Sequence, residues 1–278
     1  MIVCLAVAVI AAGIWGIGKI TRAKREEQLA RLADAYTSTI PVENEQPSED
    51  PEAAGSASDS DSVSDADIEE PDPLEVLAEA GVPIPDKQVD FEALQAELNK
   101  DIYAWIYIPD SKIDYPILQH ETDNLHYLNY NLDGSKGYPG CIYTENYNAK
   151  DFLDPVTVVY GHNMKNGTMF AGLHKYEDAE YFAEHPYVYI YTPERLMVYQ
   201  VFAACVYSDK HILLNYDCTE PKIYFRFLSE ITSARGMNNN YNEDVEVTVD
   251  DHVLVLSTCI ANRPNNRYVV LGVLLNEN

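Results

Sequence analysis

The chain has 278 residues, 46% of them hydrophobic, and a formal net charge of −26. That length allows a sizeable core with appendages in one or two domains. The charge excludes a nucleic-acid partner, because no basic stripe is present to neutralise phosphates.

Met1 to Ile20 is a nearly unbroken apolar run, about long enough to span a bilayer with Lys19 snorkelling. A cleaved signal peptide fits less well, since a basic start is missing and no clean A-x-A site stands before the charged residues. The expectation is a single-pass membrane anchor over residues 1–20. Lys19, Arg22, Lys24, Arg25 and Arg31 follow it, and the positive-inside rule would keep that side in the cytoplasm.

Thr21 to Tyr36 has the pattern of a short charged helix leaving the membrane. Ile40 to Pro73 is made mainly of Ser, Asp, Glu, Ala and Pro, and Pro41 to Ala80 lacks Lys and Arg. Such a stretch cannot bury enough surface to offset chain entropy and is expected to be a disordered, self-repelling spacer. It carries no EF-hand spacing for ion binding. Residues 21–89 are thus expected to form a charged helix and acidic linker, and residues 90–278 the folded domain.

Pro73 to Ala80 predicts a turn of helix. Asp90 to Asn99 predicts an amphipathic one, with Asp90 as N-cap and Phe91, Leu94 and Leu98 on one stripe. From Ile102 on, runs rich in Tyr, Val and Ile alternate with Gly, Asn and Pro turns. Strands are expected at 104–108, 115–118, 140–144, 156–160, 187–191, 196–206 and 245–247, before a final pair. This spacing argues for a mostly β fold, an antiparallel barrel or sandwich. Within Asp217 to Gly236 the spacing of Ile223 to Ile231 is helical, so that insert is expected to pack over one edge or mouth of the sheet.

The final pair carries the chemistry. Val253–Leu256 predicts a buried strand ending in a polar tip at Cys259, and Tyr268–Leu275 a second strand headed by Arg267. Ile260 to Asn266 between them has turn residues. Antiparallel pairing would bring the thiol and the guanidinium to the same end of the sheet, and a nearby cation favours a thiolate. His162 repeats the layout, at the end of the strand 156–160 and just after Gly161. An imidazole there can exchange protons with a thiol at a neighbouring strand end. Taken singly, each has a plain alternative: a buried structural cysteine, a loop histidine, or a surface arginine with Arg263 as its competitor. His120, His126, His174, His185, His211 and His252 read as ordinary histidines. The five cysteines are odd in number and follow no repeated spacing or Cys/His zinc pattern, which argues against a disulfide framework. Cys205 with Cys218 is the one candidate pair.

Taken together these residues resemble the sortases, cysteine transpeptidases of Gram-positive cell surfaces. Leu256-Ser257-Thr258-Cys259 is similar to the family's L-x-T-C signature, Gly161-His162-Asn163-Met164 to its histidine motif, and Arg267-Tyr-Val-Val to its arginine strand. Trp105-Ile-Tyr-Ile-Pro with Ile113-Asp-Tyr-Pro-Ile, Asp123 to Asn131, and the insert Asp217–Gly236 resemble class B in particular. The resemblance runs from about Asn99 to the C-terminus. It implies a closed sortase-type β-barrel with N-terminal helices, a helix inserted before the catalytic strand, and an extracellular catalytic domain on a membrane anchor.

It further implies that Cys259 attacks the Thr carbonyl of a C-terminal N-P-x-T-x sorting signal of a secreted surface protein. The resulting thioester would pass to an amine of the peptidoglycan cross-bridge or its precursor. His162 would be acid and base, and Arg267 the oxyanion and substrate clamp. Asn124, Leu128, Ser257 and Thr258 would line the peptide groove with part of Ser208–Tyr216. No cofactor or metal is implied. Ile260 departs from the acidic residue that several class B members carry after the cysteine, and the acidic spacer is also unusual. A pilin polymerase, a hydrolytic Cys/His peptidase and a noncatalytic peptide-binding module are the competing functions.

Overall fold

The computed structural model describes residues 19–29, 31–39 and 71–277. A two-stranded ribbon of β1 (Thr37–Ser38) and β2 (Gln88–Val89) lies beside one large sheet. The sheet contains β3 (Ile102–Tyr107), β4 (Asp114–Leu118), β5 (Ile142–Thr144), β6 (Val156–Tyr160), β7 (Tyr187–Tyr191), β8 (Leu196–Ser208), β9 (Asn240–Tyr241), β10 (Val253–Ile260) and β11 (Arg263–Leu274). Its order is β11-β10-β6-β5-β4-β3-β7-β8-β9, and a further β11–β8 pairing closes eight of these strands into a barrel. Closure removes the sheet edges that would otherwise offer unpaired backbone groups. Pairing is antiparallel except for β4 with β5 and β6 with β10.

Alternation along each strand sorts side chains between two cores. Leu254 and Leu256 of β10 point inward, to a cluster that includes the fully buried Trp105, Ile106 and Tyr268. Val253 and Val255 point outward, with Val156 and Val158 of β6 and Val269 and Leu271 of β11. The outer core is covered by the helix α7 (Pro221–Ser233), whose Tyr224, Phe227, Leu228 and Ile231 are buried on one face. Each such side chain contributes roughly 1.5–3 kcal/mol when removed from water. The insert between β8 and β10 therefore roofs one outer face of the barrel.

The expected strand at 245–247 does not form. Val245 and Val247 instead pack singly against the outer core, so apolar spacing there reflects burial without a ladder. The helices expected near residues 73 and 91 are α2 (Pro73–Glu79) and α3 (Phe91–Glu97), and the Asp90 carboxylate caps the latter by accepting from Ala93 N at 2.9 Å. A short helix, α5 (Ala179–Glu184), precedes β7.

The N-terminal helix corrects the membrane reading. Among the described residues no helix is long and apolar enough to cross a membrane. This overturns the single-pass cell-membrane localisation and the membrane as a partner through an N-terminal helix. Residues 1–18 of the expected anchor, and residues 40–70 of the expected linker, lie outside the described residues. What is described, α1 (residues 19–29 and 31–36), is densely charged and docks along the barrel. Leu29 and Leu32 enter the inner core, Arg25 lies 3.8 Å from Asp133, and the Arg22 guanidinium sits 5.3 Å over the Tyr138 ring. Nearby, Lys87 reaches Asp114 at 2.7 Å, and the buried Trp105 donates its indole N–H to the same carboxylate at 2.6 Å.

Candidate active site

Four neighbouring strands change character at the same level. The outward rows of β6, β10, β11 and β8 are apolar beneath α7. Toward one end they continue as Tyr160, then Ser257 and Cys259, then Arg267, then Tyr207. Here the roof ends and a groove of about 300 Å³ opens, lined by all of these residues. One wall is the segment around α4 (His126–Asn129), with Leu125 and Leu128. The other is Ser208 to Ile212, leading into α6 (Ile212–Asn215). The candidate site thus lies on the outer face of the barrel wall.

Cys259 stands directly opposite Arg267 in the antiparallel β10–β11 ladder, so both side chains leave the same face. The connecting turn is tighter than the sequence suggested. Ile260 pairs with Arg263, leaving Ala261 and Asn262 at the tip, and Asn262 adopts a positive φ of 61° that Asn tolerates. Arg267 Nη1 donates to the carbonyls of Pro264 and Asn266 at 2.9 Å each, which ties the guanidinium to its own hairpin. Arg263, the alternative cation, is exposed and lies outside the groove lining.

His162 enters from β6. Gly161 before it is required by close approach: a Cβ there would lie 2.5 Å from Ile142 Cδ1 and 2.6 Å from Phe170 Cγ. The His162 ring faces Tyr138 at 4.9 Å, and its Nε2 lies 3.0 Å from the Leu128 carbonyl. A carbonyl only accepts, so this contact assigns the proton to Nε2 and leaves Nδ1 as the nitrogen open to proton exchange.

Of the described cysteines, Cys259 is the exposed one. Cys205 and Cys218 are free thiols, not the candidate disulfide, and burial pushes each up to about 11. The buried Cys141 thiol is raised further by the same cause. Such thiols are poor nucleophiles near neutrality.

The expected groove residues divide. Leu128 and Ser257 line the groove. Thr258 also borders it, but the residue is 2% exposed and its hydroxyl donates to the Gly161 carbonyl at 2.8 Å, clamping β10 to the end of β6. Asn124 is outside the lining. Its Oδ1 accepts from Asn146 N at 2.7 Å, and Leu125 takes its place on the wall.

Two groups read as ordinary in the sequence sit at the site. His211 Nε2 lies 2.5 Å from Oε2 of Glu145, a residue only 5% exposed, and both line the groove. Burial raises the Glu145 carboxyl above its ordinary value, with His211 opposing. The Tyr160 hydroxyl donates to Glu145 at 3.3 Å and is itself raised, first by burial and then by that carboxylate. His174 lies behind Cys259, with Nε2 3.1 Å from its carbonyl. Separations of 66 and 85 residues hide both relationships from a linear reading.

A closed barrel with thiol, imidazole and guanidinium around one outer groove is the arrangement of a cysteine transpeptidase of the sortase type. Residues 106–275 match the sortase domain family, and the chain belongs to the sortase family. Its relatives put it in class B. It is 32% identical over 183 residues to sortase B of Listeria monocytogenes, covering 65% of this chain and 72% of that protein. Over 169 residues it is 32% identical to sortase B of Staphylococcus aureus, covering 61% and 67%. The fold matches sortase B of Bacillus anthracis in complex with AAEK1 at a TM-score of 0.60 and 32% identity, covering 68% of this chain and 85% of that one. It matches the S. aureus sortase B–substrate complex at 0.60 and 27%, covering 74% and 93%.

Proposed function

We propose that this class B transpeptidase cleaves a C-terminal N-P-x-T-x sorting signal and joins the surface protein to a cell-wall amine. The supporting observation is the pairing of Cys259 with Arg267 on one hairpin, in a groove that also receives His162. The Cys259 sulfur, its proton passed to His162, attacks the Thr carbonyl. The oxyanion that develops faces the Arg267 guanidinium, whose stabilisation acts on the transition state more than on the substrate. His162 returns the proton to the departing amide nitrogen, leaving a thioester. An incoming amine then attacks the thioester, gives its proton to His162, and expels the thiolate. Proton transfers of this kind contribute about 10²–10⁴-fold. Leu125 and Leu128 supply apolar wall, and Ser257 polar floor, for an extended peptide. The S. aureus relative was solved as a substrate complex, which supports a substrate-binding role for this chain as well.

The test is to incubate the full chain with a peptide containing Asn-Pro-Ala-Thr-Ala and an excess of triglycine, followed by mass spectrometry. An amine adduct is expected, and a Cys259→Ala chain should give none. A hydrolysate without adduct would establish a peptidase. Adduct formed only with a lysine side-chain amine would establish a pilin polymerase.

A further inference from the structure

The backbone carbonyl of Cys259 lies where the ladder runs out. β6 ends at Tyr160, opposite Ser257, and the last backbone bond on that side is Gly161 N donating to Ser257 O at 3.1 Å. Carbonyls two residues apart on a strand face the same edge, so the Cys259 carbonyl points toward β6 beyond its end. The next residue, Ile260, is already across a bulge. An unpaired carbonyl at such a place is free to rotate with its peptide plane, and the Cys259 side chain would turn with it.

Two side chains replace the missing strand. Asn163 Nδ2 donates to the Cys259 carbonyl at 2.9 Å, and His174 Nε2 lies 3.1 Å from the same oxygen. They are 3.0 Å from each other. His174 is itself held from behind. Its Nδ1 lies 2.6 Å from Oε1 of Glu177, and its ring stacks on the buried Tyr268 at 5.2 Å with the planes 26° apart. Glu177 accepts from Asn238, whose carbonyl accepts from the Tyr268 hydroxyl at 3.1 Å. A carboxylate only accepts, so Nδ1 carries a proton. Nε2 then either donates to the carbonyl or accepts from Asn163, and Asn163 holds the carbonyl in both cases.

We propose that Asn163 and His174 are positioning residues for the nucleophile: they fix the Cys259 peptide plane at the bulge and so keep Sγ aligned with Arg267 and His162. This rests on Cys259 being the nucleophile. Neither residue touches the sulfur. Their action is through the main chain, with Glu177 and Tyr268 holding the His174 ring in place.

The test uses the full chain and two readouts. One is the rate of Cys259 alkylation by iodoacetamide at neutral pH, located by peptide mapping. The other is kcat and KM on the Asn-Pro-Ala-Thr-Ala peptide with triglycine. His174→Phe keeps a ring against Tyr268 but has no polar atom for the Cys259 carbonyl or for Asn163, whereas His174→Gln loses the ring and keeps an amide that can meet either. Because small misplacements of a reacting group are costly, His174→Phe should lower kcat about tenfold or more, with KM within about twofold and alkylation several-fold slower. His174→Gln should recover to within about threefold of the parent. Asn163→Leu, which removes at similar volume the group that donates to the Cys259 carbonyl, should behave like His174→Phe and serves if that variant does not fold. Parent-like kcat and alkylation in His174→Phe and Asn163→Leu would overturn the proposal, as would His174→Gln being as impaired as His174→Phe. If the parent leaves the peptide intact while alkylation follows the expected order, the positioning role stands and the sorting-signal reading falls.

Discussion

Oε2 of Glu145 and Nε2 of His211 are 2.5 Å apart, in the same groove as Cys259 and Arg267. Burial is the largest influence on Glu145 and raises its carboxyl above the ordinary value, while His211 pulls the other way. A carboxyl raised in the folded state binds its proton more tightly there than in the unfolded chain. Its contribution to stability is full below the unfolded value and is lost as pH rises through the folded one. Glu145→Gln should therefore be more stable than the parent at pH 7.5, with the difference closing as pH falls toward about 4. Denaturant melts across that range check this. A less stable variant at pH 7.5 would show that the contact with His211 outweighs the cost of burial.

Arg267→Lys keeps a cation but loses the planar fork now tied to two hairpin carbonyls. Turnover should fall more than about tenfold. Arg263→Ala, at an exposed position outside the groove, should stay within about twofold. Steady-state kinetics on the sorting peptide decide between them, and equal losses would reassign the oxyanion role.

Gly161→Ala places a methyl 2.5 Å from Ile142 Cδ1 and 2.6 Å from Phe170 Cγ, and Phe170 is fully buried. The ring has no room to yield, so overpacking should cost about 1–3 kcal/mol. His162 follows directly in the chain, so kcat should drop as well. Denaturant titration with a kcat measurement would show both, and a variant of parental stability would contradict the packing.

Lys87→Met removes the ammonium that reaches Asp114 at 2.7 Å and sits 4.5 Å above the Tyr107 ring. Asp114 would keep the Trp105 indole but lose its countercharge in a partly buried setting. A loss of about 1–3 kcal/mol is expected. The pair joins the residue just before β2 to β4 of the barrel, and neither residue lines the groove, so kcat per folded molecule should be unchanged.

Much of the barrel was legible because short runs of Tyr, Val and Ile are set off by Gly, Asn and Pro turns, and Val253 to Leu256 and Tyr187 to Tyr191 show this plainly. Val245 and Val247 misled, since a valine can be buried by packing on a neighbour without pairing. The two-residue strand β9 is too short to signal itself. At the site, Cys259, His162 and Arg267 were visible because each borders a strand-like run where turn residues begin, although Arg267 proves to lie within β11, which starts at Arg263. His174 and His211 were not, since their significance comes from a carbonyl and a carboxylate far away in the chain. Thr258 shows the limit of adjacency: it neighbours the cysteine but alternation turns it to the interior. The membrane reading rested on the length and apolar composition of residues 1–20, and the charged helix that follows the apolar run gains its burial from the barrel through Leu29 and Leu32.

The turn of Ala261 and Asn262 has a practical consequence. The sulfur and the guanidinium ride one rigid hairpin, whereas the groove walls come from the α4 region and the stretch before α6. The two walls are not equivalent for redesign: the Leu128 carbonyl of the α4 wall holds His162 Nε2 at 3.0 Å, whereas among the described residues no side-chain hydrogen bond links the stretch before α6 to His162, Cys259 or Arg267. An engineer reshaping the groove should therefore regraft the Ser208–Ile212 wall first and leave the α4 wall and the reactive hairpin untouched.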